Sequence, residues 1–261
     1  MNIHFKKLQK KAYQIDEEER TEYCMKLLRH CMHPSELVFV DESQKDRNSS
    51  RRRRIWYKRG LSPFRKAIFS GNKAVRYTLL AACDWNGFIW EACETVRQKS
   101  SSGDADPTRG TIDGDRFLEW VRTKLVPTLG DHTLGQPRSI VVMDNATIHA
   151  NPEMENLINS KGAILIKLPA YSPDLNPIEL MFGEYKKYLK RHNSEPWDMA
   201  HENGLCTVSS DMAKAFFKKS TVPHCEDFPS TSQIKKINEQ DEMNVMTAAI
   251  VAVAAIVVAI D

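Results

Sequence analysis

Cysteine pairs at metal-binding spacing and apolar runs long enough to span a bilayer are both missing from this sequence. The six cysteines form no C-x-x-C pair and no zinc-like pattern with histidine. This excludes a zinc finger or ribbon and favours reduced, buried thiols in an intracellular protein. No secretory signal opens the chain. The apolar run at residues 247–260 has 14 residues, fewer than the ~20 that a membrane-spanning helix needs, so we expect no membrane anchor.

A strong net charge is also missing. The formal net charge of +3 is too small to indicate nucleic-acid binding by itself. The charge is unevenly distributed, because basic residues greatly outnumber the single acid, Asp46, between residues 45 and 76. Aromatic residues lie among them, which suits a phosphate backbone, although a solvated basic loop or a nuclear-import signal has the same pattern. The candidates for DNA-backbone contact are Arg51, Arg52, Arg53, Arg54, Lys58, Arg59, Arg65 and Lys66.

The order of apolar patterns predicts an α/β fold. Hydrophobic residues make up 41% of the 261 residues, enough for a sizeable core. The predicted helices are 5–33, 113–129, 152–162 and 177–192, and the predicted strands are 36–43, two within 74–93, 139–144 and 163–169. These elements predict a mixed sheet flanked by helices. We expect a lead-in helix within residues 1–34, one domain at 35–192, and a poorly defined tail at 193–261 that contains the apolar run.

Three acids occupy similar places in this pattern. Asp41 ends the apolar strand 37-LVFVD-41, Asp144 ends 139-SIVVMD-144, and Glu179 lies at the start of a predicted helix. Sites form where parallel strands end and helices begin, and converging carboxylates stay ionised together only if cations share the site. Mg2+ prefers such oxygen ligands. Each acid also has an ordinary explanation: a turn after the strand for Asp41 and Asp144, and a capping box with Asn176 for Glu179.

Two strings in the sequence decide between these explanations. The segments 144-DNATIH-149 and 168-LPAYSPDLNPIELMF-182 resemble the core signature of mariner-type DDE transposases and their bacterial insertion-sequence relatives. In that family the second aspartate begins a D-N-x-x-x-H stretch and the third acid ends S-P-D-L-N-P-I-E. Here 34 residues separate Asp144 from Glu179, a spacing typical of one branch of the family. The resemblance covers about residues 5–192.

The resemblance implies a ribonuclease-H-like fold in which Asp41, Asp144 and Glu179 are the catalytic triad. They would bind two Mg2+ ions, with Mn2+ as the alternative, and Asn145 and His149 would be their neighbours. Asp174 is a rival for the third acid, but its place in a turn-forming string favours a turn role. The implied partner is double-stranded DNA, with a homodimer as one option and no small-molecule cofactor. The implied location is the nucleus in a eukaryote, and otherwise the cytoplasm or nucleoid.

The implied function is that of a metal-dependent DNA endonuclease and strand transferase acting in transposition. This sequence departs from the family in two respects. About forty residues precede Asp41, so we expect the helix-turn-helix modules of a full transposase to be missing or supplied by another chain. Phe182 stands where the family commonly has tryptophan. The alternative is therefore a truncated, catalytically silent, transposase-derived DNA-binding module. A ribonuclease-H-like enzyme that cuts RNA in hybrids would fit the triad but not the S-P-D-L-N-P-I-E string.

Overall fold

The computed structural model describes most of the predicted domain. The described residues are 15–46, 76–97, 112–145, 151–192 and 195–220. The DNA-binding candidates from Arg51 to Lys66, His149 and the apolar run at 247–260 lie outside these ranges, so what the sequence predicts for them stays a prediction. Within the described ranges, no helix combines the length and apolar character that crossing a membrane would require.

The predicted helices and strands occur along the described chain in the predicted order, and β4, α5 and α6 are additional elements. The strands are β1 (Leu37–Asp46), β2 (Arg76–Asp84), β3 (Gly87–Phe88), β4 (Glu94–Arg97), β5 (Ile140–Met143) and β6 (Ile164–Lys167). The α-helices are α1 (Glu17–His30), α2 (Gly114–Trp120), α3 (Pro152–Ser160), α4 (Pro177–Arg191), α5 (Trp197–Leu205) and α6 (Ser210–Ser220). Short 3-10 helices lie at Pro34–Glu36, Trp90–Ala92, Val126–Thr128 and Pro173–Leu175.

The sheet mixes parallel and antiparallel strands, as the sequence predicts. Its order is β3-β2-β1-β5-β6, with β4 also paired to β2. Strand β1 is antiparallel to β2 and parallel to β5, and β5 is parallel to β6. Val40 pairs with Met143, so Asp41 and Asp144 each come directly after a paired residue of two adjacent parallel strands. The topology therefore brings two of the three predicted acids to the same edge of the sheet.

Both faces of the sheet are buried, which explains why the central strands are apolar without alternation. Phe39 and Val142 point to the face covered by α1, α4, α5 and α6. Val40 and Met143 point to the opposite face, against α2 and α3. Because successive side chains in a strand alternate between faces, the direction of every side chain at the end of β1 and β5 follows from these contacts.

One predicted helix end differs from the structure. The sequence predicts that the helix after residue 113 stops at Pro127, but the helical path continues from α2 through a π-helical segment, Val121–Leu125, and a 3-10 turn that ends at Thr128. Pro127 lies in the first turn of that 3-10 segment. There its missing N–H group would have no partner within the helix in any case, so the proline is accommodated.

Two helices that the sequence does not predict follow residue 192. Helices α5 and α6 pack in the same core as the sheet, through Ala200, Leu205 and Phe217. The Phe217 ring meets Phe39 of the central strand edge to face, with 5.4 Å between ring centroids. Residues 195–220 thus contribute to the core of the domain rather than to a loose tail. The weak apolar periodicity of α5 explains why the sequence pattern missed that helix, whereas α6 is as amphipathic as α4 and its signal was overlooked.

Candidate active site

The three predicted acids share one face of the sheet. By the alternation along the strands, Asp41 points to the same side as Phe39, and Asp144 to the same side as Val142. Helix α4 packs on that side, and Glu179 lies in its first turn. The structure therefore brings Asp41, Asp144 and Glu179 to the corner where the parallel pairing of β1 with β5 stops and α4 begins. The prediction that Asp41 ends its strand is wrong, because β1 continues to Asp46 through its antiparallel pairing with β2.

The pKa of Asp41 depends strongly on burial and on the neighbouring acids of this corner. Burial and then repulsion from Glu179 raise the pKa of Asp41 from 3.8 to about 7, and Asp144 and Glu42 add to the repulsion. The backbone N–H of Glu42 donates to Asp41 Oδ1 at 2.7 Å, which lowers the pKa but does not offset the other effects. The negative charges of the three predicted acids are thus within Coulombic range of one another.

Asn176 is a residue of this corner that the sequence assigns only to helix capping. Its backbone stands at the N-cap of α4, but its side chain makes no cap hydrogen bond. Instead, Asn176 Nδ2 donates to Asp41 Oδ2 at 3.1 Å. The capping-box explanation of Glu179 is therefore wrong in its hydrogen bonding. Asn176 is almost fully buried, and its Oδ1 has no hydrogen-bond partner. In the sequence, only the position of Asn176 at the start of the N-P-I-E string indicated that it lies near the third acid.

Asn145 links the ends of two strands. Its Nδ2 donates to the carbonyl of Leu168 at 3.0 Å, and the Leu168 N–H donates to the Met143 carbonyl at 2.9 Å. Asn145 is thus a neighbour of Asp144, as predicted, and it holds the loop after β6 against the end of β5.

Lys167 is a second residue that sequence reasoning missed. It ends β6 opposite Met143 and is half-buried. Burial lowers the pKa of Lys167, while attraction to Asp144 and Glu155 acts in the opposite direction. A lysine ending an apolar strand carries no distinctive signal in a single sequence, and only the register of the sheet brings it to this site.

The rival acid Asp174 has a different partner. Arg20 of α1 donates to both of its carboxylate oxygens, at 3.1 and 2.8 Å, and to Ser172 Oγ at 2.9 Å. Asp174 lies in the 3-10 turn before α4, and its side chain is 60% exposed. These contacts favour the turn role predicted for Asp174 and tie α1 to the loop that leads into α4.

The donor atoms at this corner fit a divalent cation. No three His, Cys, Asp or Glu side chains in the described ranges already form a cluster that could hold an ion. However, burial and the repulsion from Glu179 and Asp144 raise the pKa of Asp41, and the buried Asn176 Oδ1 lacks a hydrogen-bond partner among the described residues. A hard cation with oxygen ligands would meet both conditions. Asp41, Asp144 and Glu179 are the residues that would hold it.

A cleft among the described residues lies elsewhere. Its volume is about 600 Å³, and its lining includes Ser35, Asp84 and Arg138. Ser35 precedes β1 and Arg138 precedes β5, so the cleft lies at the sheet edge opposite to the three acids. Asp84 and Arg138 already form an ion pair at 2.8 Å. None of the three acids lines this cleft, so the cleft is not part of the candidate active site.

The fold is an α/β domain of the ribonuclease-H-like type. Three acids lie together in it, where the parallel pairing of its central strands stops and the adjacent helix begins. Residues 107–198 match the family model described as DDE superfamily endonuclease, and this range contains Asp144 and Glu179. No curated protein matches the sequence.

Solved structures with the same fold are mariner transposases. The Mos1 mariner paired end complex with Mn has a TM-score of 0.58 and 14% identity, covering 84% of this chain and 64% of that chain. A pre-cleavage Mos1 transpososome has a TM-score of 0.51 and 16% identity, covering 86% and 69%. A Mos1 paired-end complex with left transposon end has a TM-score of 0.50 and 17% identity, covering 85% and 68%. This chain thus spans roughly two thirds of their length.

The two findings agree with each other and confirm the resemblance drawn from the sequence. Residues 107–198 are similar to the DDE superfamily endonuclease model, and the chain has the same fold as the Mos1 mariner structures.

Proposed function

We propose that the chain is a transposase-type DNA endonuclease and strand transferase that acts on double-stranded DNA with Mg2+ or Mn2+. The observation that carries this proposal is the arrangement of Asp41, Asp144 and Glu179 on one face, where the parallel pairing of β1 with β5 stops and α4 begins. The match of residues 107–198 to a family model described as DDE superfamily endonuclease supports the proposal. Relatives of the same fold were captured with transposon ends and, in one case, with Mn.

In this proposal the chain's residues orient one carboxylate and leave it able to bind a cation. Each oxygen of Asp41 accepts one hydrogen bond, from Glu42 N and from Asn176 Nδ2, so the carboxylate has a fixed orientation and one lone pair free on each oxygen. When bound, two divalent ions would supply activation of the attacking oxygen and stabilisation of the leaving oxygen in an in-line displacement. Lys167 is half-buried beside Asp144, and in this proposal its positive charge attracts a DNA phosphate.

We propose that the basic segment from Arg51 to Lys66 contacts the DNA backbone without reading sequence. Lysine and arginine contacts of this kind release counterions, so affinity should fall steeply as salt concentration rises. The Mos1 relatives form paired-end complexes. We therefore include in the proposal that two copies of this chain act together on DNA.

The test is nicking of supercoiled plasmid by the purified chain in Mg2+, in Mn2+ and in a chelator. Asp144→Asn and Glu179→Gln should abolish metal-dependent nicking, because each removes one of the charges that would hold the ions. Asp115→Asn, an exposed acid in the first turn of α2, is the matched control and should nick like the wild type. Nicking that survives in chelator or in Asp144→Asn would refute the assignment.

One observation favours a second function, DNA binding without cleavage. The basic segment from Arg51 to Lys66 would hold duplex DNA whether or not the three acids bind metal ions. This second function predicts salt-sensitive binding of duplex DNA with no nicking in either metal. The same plasmid assay, run beside a binding assay, separates the two functions.

A further inference from the structure

Tyr171 has an unusual backbone and an unusual exposure. Its φ of +56° lies in the left-handed region, which bulky side chains rarely adopt. Its side chain is also one of the large apolar groups left exposed, at 59%. A strained backbone that presents an aromatic ring to solvent gains no burial in return. Such outliers persist only where the surroundings impose them, and they concentrate at functional sites.

The surroundings of Tyr171 do impose its conformation. On its N-terminal side, the N–H of Ala170 donates to Glu19 Oε2 at 3.3 Å. On its C-terminal side, the buried Ser172 accepts from Arg20 at 2.9 Å and donates to the Ala170 carbonyl at 3.2 Å. Both neighbours of Tyr171 are therefore held by α1, and the ring is displayed by a fixed loop rather than by a loose one.

This loop lies at the edge of the sheet that carries the acids. It begins at Leu168, which is hydrogen-bonded to Met143 and to Asn145 at the end of β5. It ends at Asn176, which is hydrogen-bonded to Asp41. Three residues span at most about 10 Å, so Tyr171 lies within that distance of Leu168. Among the described residues, no aromatic ring or cation stacks on the Tyr171 ring.

We propose that Tyr171 stacks on an unpaired nucleobase of the DNA beside the cleavage site. This inference rests on the proposed function, and it adds a binding residue to it. The face of a base is accessible only where the stack is interrupted, at a nick, a strand end or an extruded nucleotide. An aromatic ring binds any base there through its face. A ring whose backbone is already fixed loses little entropy on binding.

The inference is tested by DNA binding in chelator, which needs no catalysis. The probes are a fluorescein-labelled duplex with a short single-stranded 3′ overhang and a fully paired duplex of equal length, followed by fluorescence anisotropy. Tyr171→Ala should weaken binding of the overhang duplex roughly 5- to 150-fold, the range of base–aromatic stacking, with a much smaller effect on the paired duplex. Tyr171→Phe should restore binding. Leu134→Ala, an exposed apolar control in the loop before β5, should bind like the wild type.

Tyr171→Gly separates stacking from a merely structural role. Glycine adopts positive φ without strain, so a structural role predicts a raised melting temperature and wild-type DNA binding. Stacking predicts that Tyr171→Gly loses overhang binding as Tyr171→Ala does. Wild-type overhang affinity in both variants would overturn the inference and leave the proposed function intact. Overhang binding that depends on Tyr171 without nicking by the wild type would overturn only the enzymatic function. No DNA binding by the wild type would overturn both.

Discussion

The burial of Asp41 and its repulsion from Glu179 and Asp144 should make the metal-free protein less stable as pH rises. Below 3.8 the carboxyl is protonated in both the folded and the unfolded chain, so it contributes no pH dependence. Between 3.8 and the folded pKa of about 7, the unfolded chain is ionised while the folded chain keeps the proton. The folded state then binds more protons, so the free energy of unfolding falls as pH rises through this window. Above pH 7 the full penalty is present.

The size of this effect follows from the pKa values. A tenfold change in an acid constant corresponds to about 1.4 kcal/mol, so the change in the pKa of Asp41 corresponds to about 4 kcal/mol at most. Solvent reaches part of this side chain and screens the repulsion, so we expect ~2 kcal/mol. Asp41→Asn removes this pH dependence. Its amide also turns a donor toward Glu42 N or Asn176 Nδ2, at a cost of about 1 kcal/mol that does not vary with pH.

Urea denaturation at pH 5 and pH 8 in chelator measures the effect. The difference between the two pH values should be larger in the wild type than in Asp41→Asn by ~1 kcal/mol, because the assay samples only the upper part of the window, between pH 5 and the folded pKa. Contributions from groups that are not coupled to Asp41 cancel in this comparison. Asp115→Asn, an exposed acid of α2, should keep the wild-type difference. Equal pH dependence in the wild type and Asp41→Asn would refute the coupling of Asp41 to Glu179 and Asp144.

Four further predictions follow from the same structure. Mg2+ or Mn2+ should raise the melting temperature of the wild type but not that of Asp41→Asn, because an ion at a hundredfold excess over its Kd stabilises the folded state by about 2.7 kcal/mol. An equal rise in both proteins would place the ion elsewhere. Phe217→Ala should lower the free energy of unfolding in urea by about 3–5 kcal/mol, since the ring is fully buried against Phe39; a loss below 1 kcal/mol would contradict its place in the core. Burial lowers the pKa of His201 from 6.5 to about 4, so the wild type should lose stability as pH falls through this window, and His201→Gln should lose less. Arg20→Met should cost only about 0.5–1 kcal/mol in urea, because Asp174 is exposed, and Arg20→Lys should recover little of it because lysine lacks the guanidinium fork.

The local sequence pattern predicted the strands and the helix that carry the acids. Only the pairing of the strands in the structure shows that the acids lie together. The apolar runs before Asp41 and Asp144 predicted both strands, and Pro177 after Asn176 predicted the start of α4. That β1 and β5 are adjacent and parallel depends on contacts across about a hundred residues. A single sequence gives no information on that pairing, so the shared face of the acids emerged only with the fold.

The residues that sequence reasoning missed are those whose role depends on the fold. Asn176 has a good helix-capping position in sequence, yet its amide donates to Asp41 in β1, a partner 135 positions away. Lys167 is an ordinary strand residue until β6 pairs with β5. Helix α5 escaped detection because its amphipathic pattern is weak, whereas α6 carries an amphipathic face comparable to that of α4 and could have been predicted. Local propensity yields to tertiary packing at Asn176 and Lys167.

The structure extends the functional unit beyond the predicted domain at 35–192. The corner that holds the acids carries two unfavourable features, the repulsion at Asp41 and the strained backbone of Tyr171. The contacts that hold this corner come partly from outside the predicted bounds. Arg20 of α1 fixes the loop before α4, and Phe217 of α6 covers Phe39, two residues before Asp41. A chain cut to residues 35–192 would therefore keep all three acids while losing α1 and the α6 packing over β1. We expect such a chain to fail as an enzyme through loss of geometry at Asp41 and Glu179, with its catalytic residues intact.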